Sequence, residues 1–233
     1  MKNNLEKFRE LFKEFEHLTK EKLGNNKLEL NKAISELKNK RIEPYYSEYD
    51  FLDFCRFCRN RDAHSNDEAQ YIIYTDKFID KLEKIIDLIK NPPTVYEKST
   101  KPVRAAQSTD YVRKIMQEMS EYNYTHIPIY DNEKLIGIFS ESTIFNYLNF
   151  KNNIQIEENT TFNDIKDCFL IPNKTEIVKF APKDKNYNEI IIEFINEFKK
   201  RERLSCFMIT EDGSANHKII GIITAWDIIG KKE

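Results

Sequence analysis

The chain of 233 residues carries 37 Lys and Arg against 39 Asp and Glu, a formal net charge of −2, with 33 % charged and 40 % hydrophobic side chains. Such a composition suits one large or two small globular domains, and the near balance of charge excludes bulk attraction to nucleic acid or anionic lipid, so any RNA contact must come from a local site. No apolar run approaches a membrane span, no signal-peptide core follows Met1, and the four Cys form no secreted disulfide framework, which together point to the cytoplasm and to no membrane partner.

Leu5, Phe8, Leu11, Phe12, Phe15 and Leu18 recur at helical spacing within residues 3–23, and Gly24 follows as a stop. A second helix is expected from Leu28 to Arg41 on Leu30, Ala33, Ile34 and Leu37, ending before Pro44. The third, Tyr49 to Asn60, is apolar nearly all round through Phe51, Leu52, Phe54, Cys55, Phe57 and Cys58, which predicts a central position. Cys55 and Cys58 have no second Cys or His pair at ligand spacing, so they read as buried packing rather than a zinc site. A fourth helix runs from Ala69 to about Lys90 on Ile72, Ile79, Leu82, Ile85, Ile86 and Ile89. Four amphipathic helices with short connections predict an antiparallel bundle over residues 1–91.

Asn91-Pro92-Pro93 breaks the helical pattern, and residues 92–102 read as a linker between two domains. From Val103 short apolar runs alternate with helices, so the whole chain falls in an α+β class. Strands are expected at Val103–Ala106, His126–Tyr130 and Leu135–Phe139, with helices at Tyr111–Tyr122 and Glu141–Phe150. The same order returns as strand Ile177–Phe180, helix Tyr187–Lys200, strands Cys206–Thr210 and Ile219–Ile223, and helix Ala225–Gly230. Thr160–Phe169 forms a short helix between them, with Thr161 near its cap.

A repeat underlies this order. Gly221 to Asp227 reads Gly-Ile-Ile-Thr-Ala-Trp-Asp, and 84 residues upstream Gly137 to Thr143 reads Gly-Ile-Phe-Ser-Glu-Ser-Thr. At this offset Asn132 falls on Asn216, Lys134 on Lys218 and Ser140 on Thr224. Each copy is an apolar run ending in Ser or Thr that feeds a helix N-terminus, where free backbone N–H groups can hold an anion. The copies occupy residues 103–152 and 153–233.

Two β-α-β-β-α copies, with His-Ile-Pro-Ile-Tyr-Asp in the first and Gly-Ile-Ile-Thr-Ala-Trp-Asp in the second, resemble a tandem cystathionine-beta-synthase (CBS) domain pair over about residues 95–231. The resemblance implies clefts between the copies that bind AMP, ADP, ATP or a related adenosine compound as a regulatory ligand, with no metal required. It also implies that Thr224 contacts phosphate and Asp227 holds the ribose hydroxyls. Thr-x-x-Asp is equally a helix-capping pair, so both roles stand at these residues. Thr143 occupies the place of the Asp in the first copy, which predicts one good nucleoside site and a second that is degenerate or empty. Phe180 and Ala181 match the family position that sandwiches a base, with a core role for Phe180 as the alternative. Arg203, with Arg201, lies within reach of a phosphate or else in solvent.

In the helical half, Arg59-Asn60-Arg61-Asp62-Ala63-His64 resembles the motif of the HEPN family, small helical bundles that include metal-independent RNases and pair across a dimer. His64 is suited to acid–base work at the 2′-hydroxyl and leaving oxygen, and Arg59 to the extra phosphorane charge. Five residues of regular helix separate their directions by roughly 140°, so the reading requires a helix break or a bent Arg side chain; Asn60 and His64 share a face. Ser65-x-x-Glu68 predicts a restart just beyond. The alternative is that Arg59 and Arg61 pair with Asp62, Asp67 or Glu68 while His64 caps a helix end. Two functions follow: a homodimeric endoribonuclease regulated by an adenosine ligand, with RNA as substrate, or a non-catalytic nucleotide-binding protein whose bundle dimerises or binds a partner.

Overall fold

In a computed structural model, which describes residues 3–64, 72–151, 155–171 and 176–229, the first apolar stripes form α1 (Asn4–Lys22), α2 (Leu30–Asn39), α3 (Tyr49–His64) and α4 (Asp76–Lys90). Asn3 and Thr75 start α1 and α4 by accepting from the backbone N–H of Leu5 and Phe78 at 3.2 Å each, which satisfies donors that a helix leaves open. The stripes bury Phe8, Phe12 and Phe15 of α1 against Leu52 and Cys55 of α3 and Ile79 and Leu82 of α4. Cys55 and Cys58 are buried thiols within this core, and burial pushes both pKa values up.

The helices do not alternate in direction, contrary to the antiparallel bundle expected. Asn4 at the start of α1 donates to the Tyr74 carbonyl and to Asp76 at the start of α4, both at 2.9 Å, while Glu14 pairs with Lys90 at the end of α4. α1 and α4 therefore run parallel. The cause is α2, which is only 10 residues long and does not return the chain to the start of α1. Tyr45, just before α3, packs on Phe15 and meets the Thr19 hydroxyl at 3.1 Å, so α3 sets out from the end where α1 finished. Nor is α3 central all round: Leu52, Cys55 and Cys58 are buried, but Phe54 and Phe57 are 51 % and 49 % exposed, because they point away from α1. The fourth helix begins at Asp76 rather than Ala69; residues 72–75 lie outside any helix, and 65–71 lie outside the described residues.

By contacts the chain divides into two units, Met1–Pro93 with Asn186–Ile192, and Thr94–Lys185 with Glu193–Glu233. In the first, the buried Asn188 side chain accepts from the Glu43 N–H at 3.1 Å and donates to its carbonyl at 3.2 Å. The stretch expected to be a linker, residues 92–102, contains α5 (Val95–Lys98), started by a Thr94–Glu97 capping box.

The second unit holds β1 (Ala106–Gln107), α6 (Val112–Tyr122), β2 (His126–Asp131), β3 (Lys134–Ser140) and α7 (Glu141–Lys151), then β4 (Ile177–Pro182), the part of α8 (Tyr187–Lys199) that follows Ile192, β5 (Leu204–Thr210), β6 (Gly221–Thr224) and α9 (Ala225–Ile229). β1 is shorter than the expected strand, since only Ala106 and Gln107 pair with β2. A 3₁₀ turn at Phe162–Cys168 is capped by Thr161 and Asp164.

The two sheets repeat in register. Each has order edge–centre–edge with one parallel and one antiparallel pairing, β1-β2-β3 and β4-β5-β6. Ile129 faces Gly137 in the first as Ile209 faces Gly221 in the second, and His126 faces Ser140 as Cys206 faces Thr224. Both glycines sit where another segment crosses the strand. A Cβ on Gly137 would lie 2.2 Å from the Phe169 carbonyl oxygen, and one on Gly221 2.2 Å from the Ser99 hydroxyl. Alternation along β3 serves two cores: Phe139 packs with Phe162 and Phe169, whereas Ile138 joins Cys206, Met208 and Ile222 of the other sheet.

Candidate functional site

The strand-to-helix junctions of the two copies are built differently. At the second, the backbone N–H and hydroxyl of Thr224 both donate to one Asp227 oxygen, at 2.7 and 2.9 Å. The Thr100 hydroxyl donates to the other at 3.0 Å. The Thr-x-x-Asp pair is thus a helix cap, and Thr100 adds a partner from 127 residues away. At the first junction Thr143 replaces the carboxylate: its hydroxyl accepts from the Ser140 N–H at 3.1 Å. The Ser140 hydroxyl donates at 2.9 Å to Glu176, which comes from the segment entering β4.

Thr224 and Asp227 open into a cleft of about 130 Å³ whose opposite wall is Tyr124, Thr125 and His126. Asn123 creates this wall by ending α6 in the left-handed region, at φ 56°, with its N–H on the Met119 carbonyl. Trp226, 67 % exposed, stands at the cleft beside Asp227. Arg104 also lines it, with its guanidinium held by Glu118 at 2.7 Å.

His126 has both ring nitrogens engaged, Nδ1 with the Thr125 hydroxyl at 2.8 Å and Nε2 with the Ser205 hydroxyl at 2.5 Å. Burial pushes its pKa below the usual histidine value, against the pull of Glu176, Glu141 and Asp227, with Arg203 adding to the depression. The ring is therefore neutral near pH 7, with one nitrogen donating and the other accepting.

The residues expected to form one site are not brought together. Phe180 lines a separate cleft of about 890 Å³ between the hairpin ends, together with Tyr130, Lys134, Leu135 and Lys218. Ala181 is fully buried. The Arg203 guanidinium pairs with Glu176 at 3.6 Å, beside the first junction rather than Asp227. Sequence reasoning left out Thr100, Tyr124, His126, Trp226 and Glu176. Trp226 lies inside the quoted motif and His126 opens the His-Ile-Pro-Ile-Tyr-Asp run, so both were within view; Thr100 and Glu176 carry no local signal.

In the helical unit α3 continues unbroken to His64, so no helix break lies between Arg59 and His64. Both Arg59 and Asn60 are exposed. Asp62 is held by Arg9 through two bonds of 2.7 and 2.6 Å, which keep its pKa below the usual carboxylate range. Asp62 is thus anchored to α1, and Arg61 lies over the Phe57 ring at 5.4 Å. The His64 side chain, Asp67, Glu68 and the expected restart at Ser65 fall outside the described residues. Among the described residues no group of three His, Cys, Asp or Glu is placed to hold a metal ion, and no helix is long and apolar enough to cross a membrane.

The family model of the CBS domain matches residues 85–149. Similar solved structures include the CBS domain pair of protein MJ0100 in complex with 5′-methylthioadenosine and S-adenosyl-L-methionine, 22 % identical over 59 % of this chain and 93 % of that one, TM-score 0.42. A signal-transduction protein with CBS domains from Burkholderia ambifaria is 16 % identical over 59 % and 91 %, TM-score 0.43. An acetoin utilization protein from Vibrio cholerae is 19 % identical over 59 % and 87 %, TM-score 0.41. No curated protein matches the sequence. The matched residues 85–149 cover most of the first copy of the repeat, from its start to residue 149, and it is to a CBS domain that this copy is similar.

Proposed function

We propose that the second unit is a nucleotide-responsive regulatory module that binds an adenosine compound, AMP, ADP or ATP among the candidates, at the Thr224–Asp227 cleft. The observation that carries this is the junction itself: a carboxylate and two threonine hydroxyls, Thr100 and Thr224, meet at a cleft that also presents an exposed indole. Ribose hydroxyls donate to a carboxylate as Thr100 does, so a ligand displaces the Thr100 bond from Asp227 while the cap to Thr224 stays. A cleft of about 130 Å³ is below the roughly 300 Å³ at which small-molecule pockets begin, so the ligand is only partly enclosed and extends along Trp226. The match of the first copy to the CBS family supports the ligand class.

Isothermal titration with AMP, ADP and ATP tests the reading. Asp227→Ala is expected to abolish binding, and Ser140→Ala to leave it nearly unchanged. Equal loss from both variants, or from neither, assigns the site to the wrong cleft.

A second reading concerns the helical unit and rests on Arg59 to His64 alone: an RNA-cleaving site regulated by the bound nucleotide. The exposed Arg59 and Asn60 on the last turns of α3, with Asp62 tethered to α1, leave a cation and an amide facing solvent. Native chain incubated with RNA in EDTA, with and without adenine nucleotide, is expected to cleave, and His64→Ala to be inactive. Undiminished cleavage by that variant, or none by the native chain under any ligand, leaves a non-catalytic interaction unit.

A further inference from the structure

Glu176 is an acidic residue of whose side chain only 2 % is exposed. A carboxylate taken out of water to that degree needs donors around it. It has the Ser140 hydroxyl at 2.9 Å and the Arg203 guanidinium at 3.6 Å, and the Ser142 hydroxyl follows 3.0 Å beyond Ser140. Ser140 and Ser142 are the residues on either side of the first position of α7, an 11-residue helix. Glu176 thus lies where β3 passes into α7, the counterpart of the place where β6 passes into α9.

The comparison of the two junctions gives this carboxylate a meaning. Each junction holds a carboxylate that accepts a hydroxyl bond, and the first also carries Glu141 as the opening residue of α7. In the second copy the accepting carboxylate is Asp227, inside the helix, and its other oxygen faces Thr100. In the first copy the helix offers Thr143, which caps without charge, and the carboxylate arrives from outside the helix as Glu176. A basic side chain, two hydroxyls and a helix start are the surroundings that hold a phosphate or carboxylate from a small molecule. Here the chain supplies that anion itself.

We propose that Glu176 is a resident anion filling the ligand seat of the first copy, so that this seat refuses a phosphorylated nucleoside, and that removing its charge turns the seat into a second anion-binding site. Arg203, released from Glu176, then pairs with the incoming phosphate, and Ser140 and Ser142 donate to it. The ligand class rests on the nucleotide reading of the Asp227 cleft. The role of Glu176 does not, since it follows from the donors around it.

The experiment is calorimetric titration of AMP into the native chain, Glu176→Ala, Glu176→Gln and the double variant Glu176→Ala/Arg203→Ala, with circular dichroism reporting the fold. Gln keeps the shape and still accepts from Ser140 without the charge; Ala also clears the space. The native chain is expected to bind one AMP and Glu176→Ala two, with the gain smaller in Glu176→Gln, whose amide still occupies the seat, and lost in the double variant. A native chain that binds none while Glu176→Ala binds one sinks the Asp227 reading and supports this one. No gain in any folded variant overturns the proposal, as does a native chain that already binds two. Loss of the fold in both single variants overturns it as well, because the carboxylate is then a structural requirement.

Discussion

Gly137→Ala is expected to lower the stability of the chain by about 3 kcal/mol, at the upper end of what overpacking costs. The added Cβ would stand 2.2 Å from the Phe169 carbonyl oxygen and 2.4 Å from its ring, and neither can step aside. The carbonyl is held by the Ile138 N–H at 3.1 Å, and the ring is buried against Phe162. Gly221→Ala occupies the matching register but meets the Ser99 side chain, whose hydroxyl can rotate away at the loss of its 2.9 Å bond to the Tyr96 carbonyl. It is expected to cost less, about 1–2 kcal/mol, for that bond and a small shift of Ser99. Urea unfolding of the two variants followed by circular dichroism checks the order, and equal midpoints would refute it.

Phe162→Ala is expected to be still more damaging, at about 4 kcal/mol, the range for removing a buried phenyl ring. Phe162 is fully buried between Phe139, at 4.9 Å and 74°, and Phe169, at 5.7 Å and 90°. Both contacts are edge-to-face, so the deletion removes two favourable ring pairs and leaves a cavity that the sheet cannot collapse to fill. Phe162→Leu refills most of the volume and is expected to cost under about 2 kcal/mol. Because Phe169 is shared, the Gly137→Ala and Phe162→Ala losses should not add: a hole beside the ring gives it room to yield to the new methyl group. Additive losses in the double variant would show that the cluster is not one unit.

The repeat was legible because it is carried by local pattern. Gly137 and Gly221 occupy the same register, and the strands and helices around them fall within a few residues of their expected places. The second hairpin is longer, since residues 211–220 separate β5 from β6 whereas 132–133 separate β2 from β3. What sequence could not give was contact between distant residues. Thr100 reaches Asp227 across 127 positions, Ser205 reaches His126 across 79, and Glu176 reaches Ser140 across 36, and none of these pairs has a spacing that marks it. Hence the candidate residues were chosen by motif, and Thr224, Asp227, Phe180 and Arg203 turned out to serve three separate places. The helical half failed in a different way. Its periodicity located the helices but is blind to direction, and the short α2 reverses the expected sense of α4. Phe54 and Phe57 were assigned to the core by type alone, although each sits one residue before a buried Cys, Cys55 or Cys58, and one residue of helix turns a side chain by about 100°.

Trp226 is the only tryptophan of the chain, and it is 67 % exposed at the mouth of the Asp227 cleft. Excited selectively at the red edge of protein absorption, the molecule therefore emits from one place. A wet indole emits at long wavelength, and a base laid over it quenches or blue-shifts that light. The chain thus carries its own unlabelled optical reporter, on an aromatic side chain between Thr224 and Asp227 that takes no part in the cap.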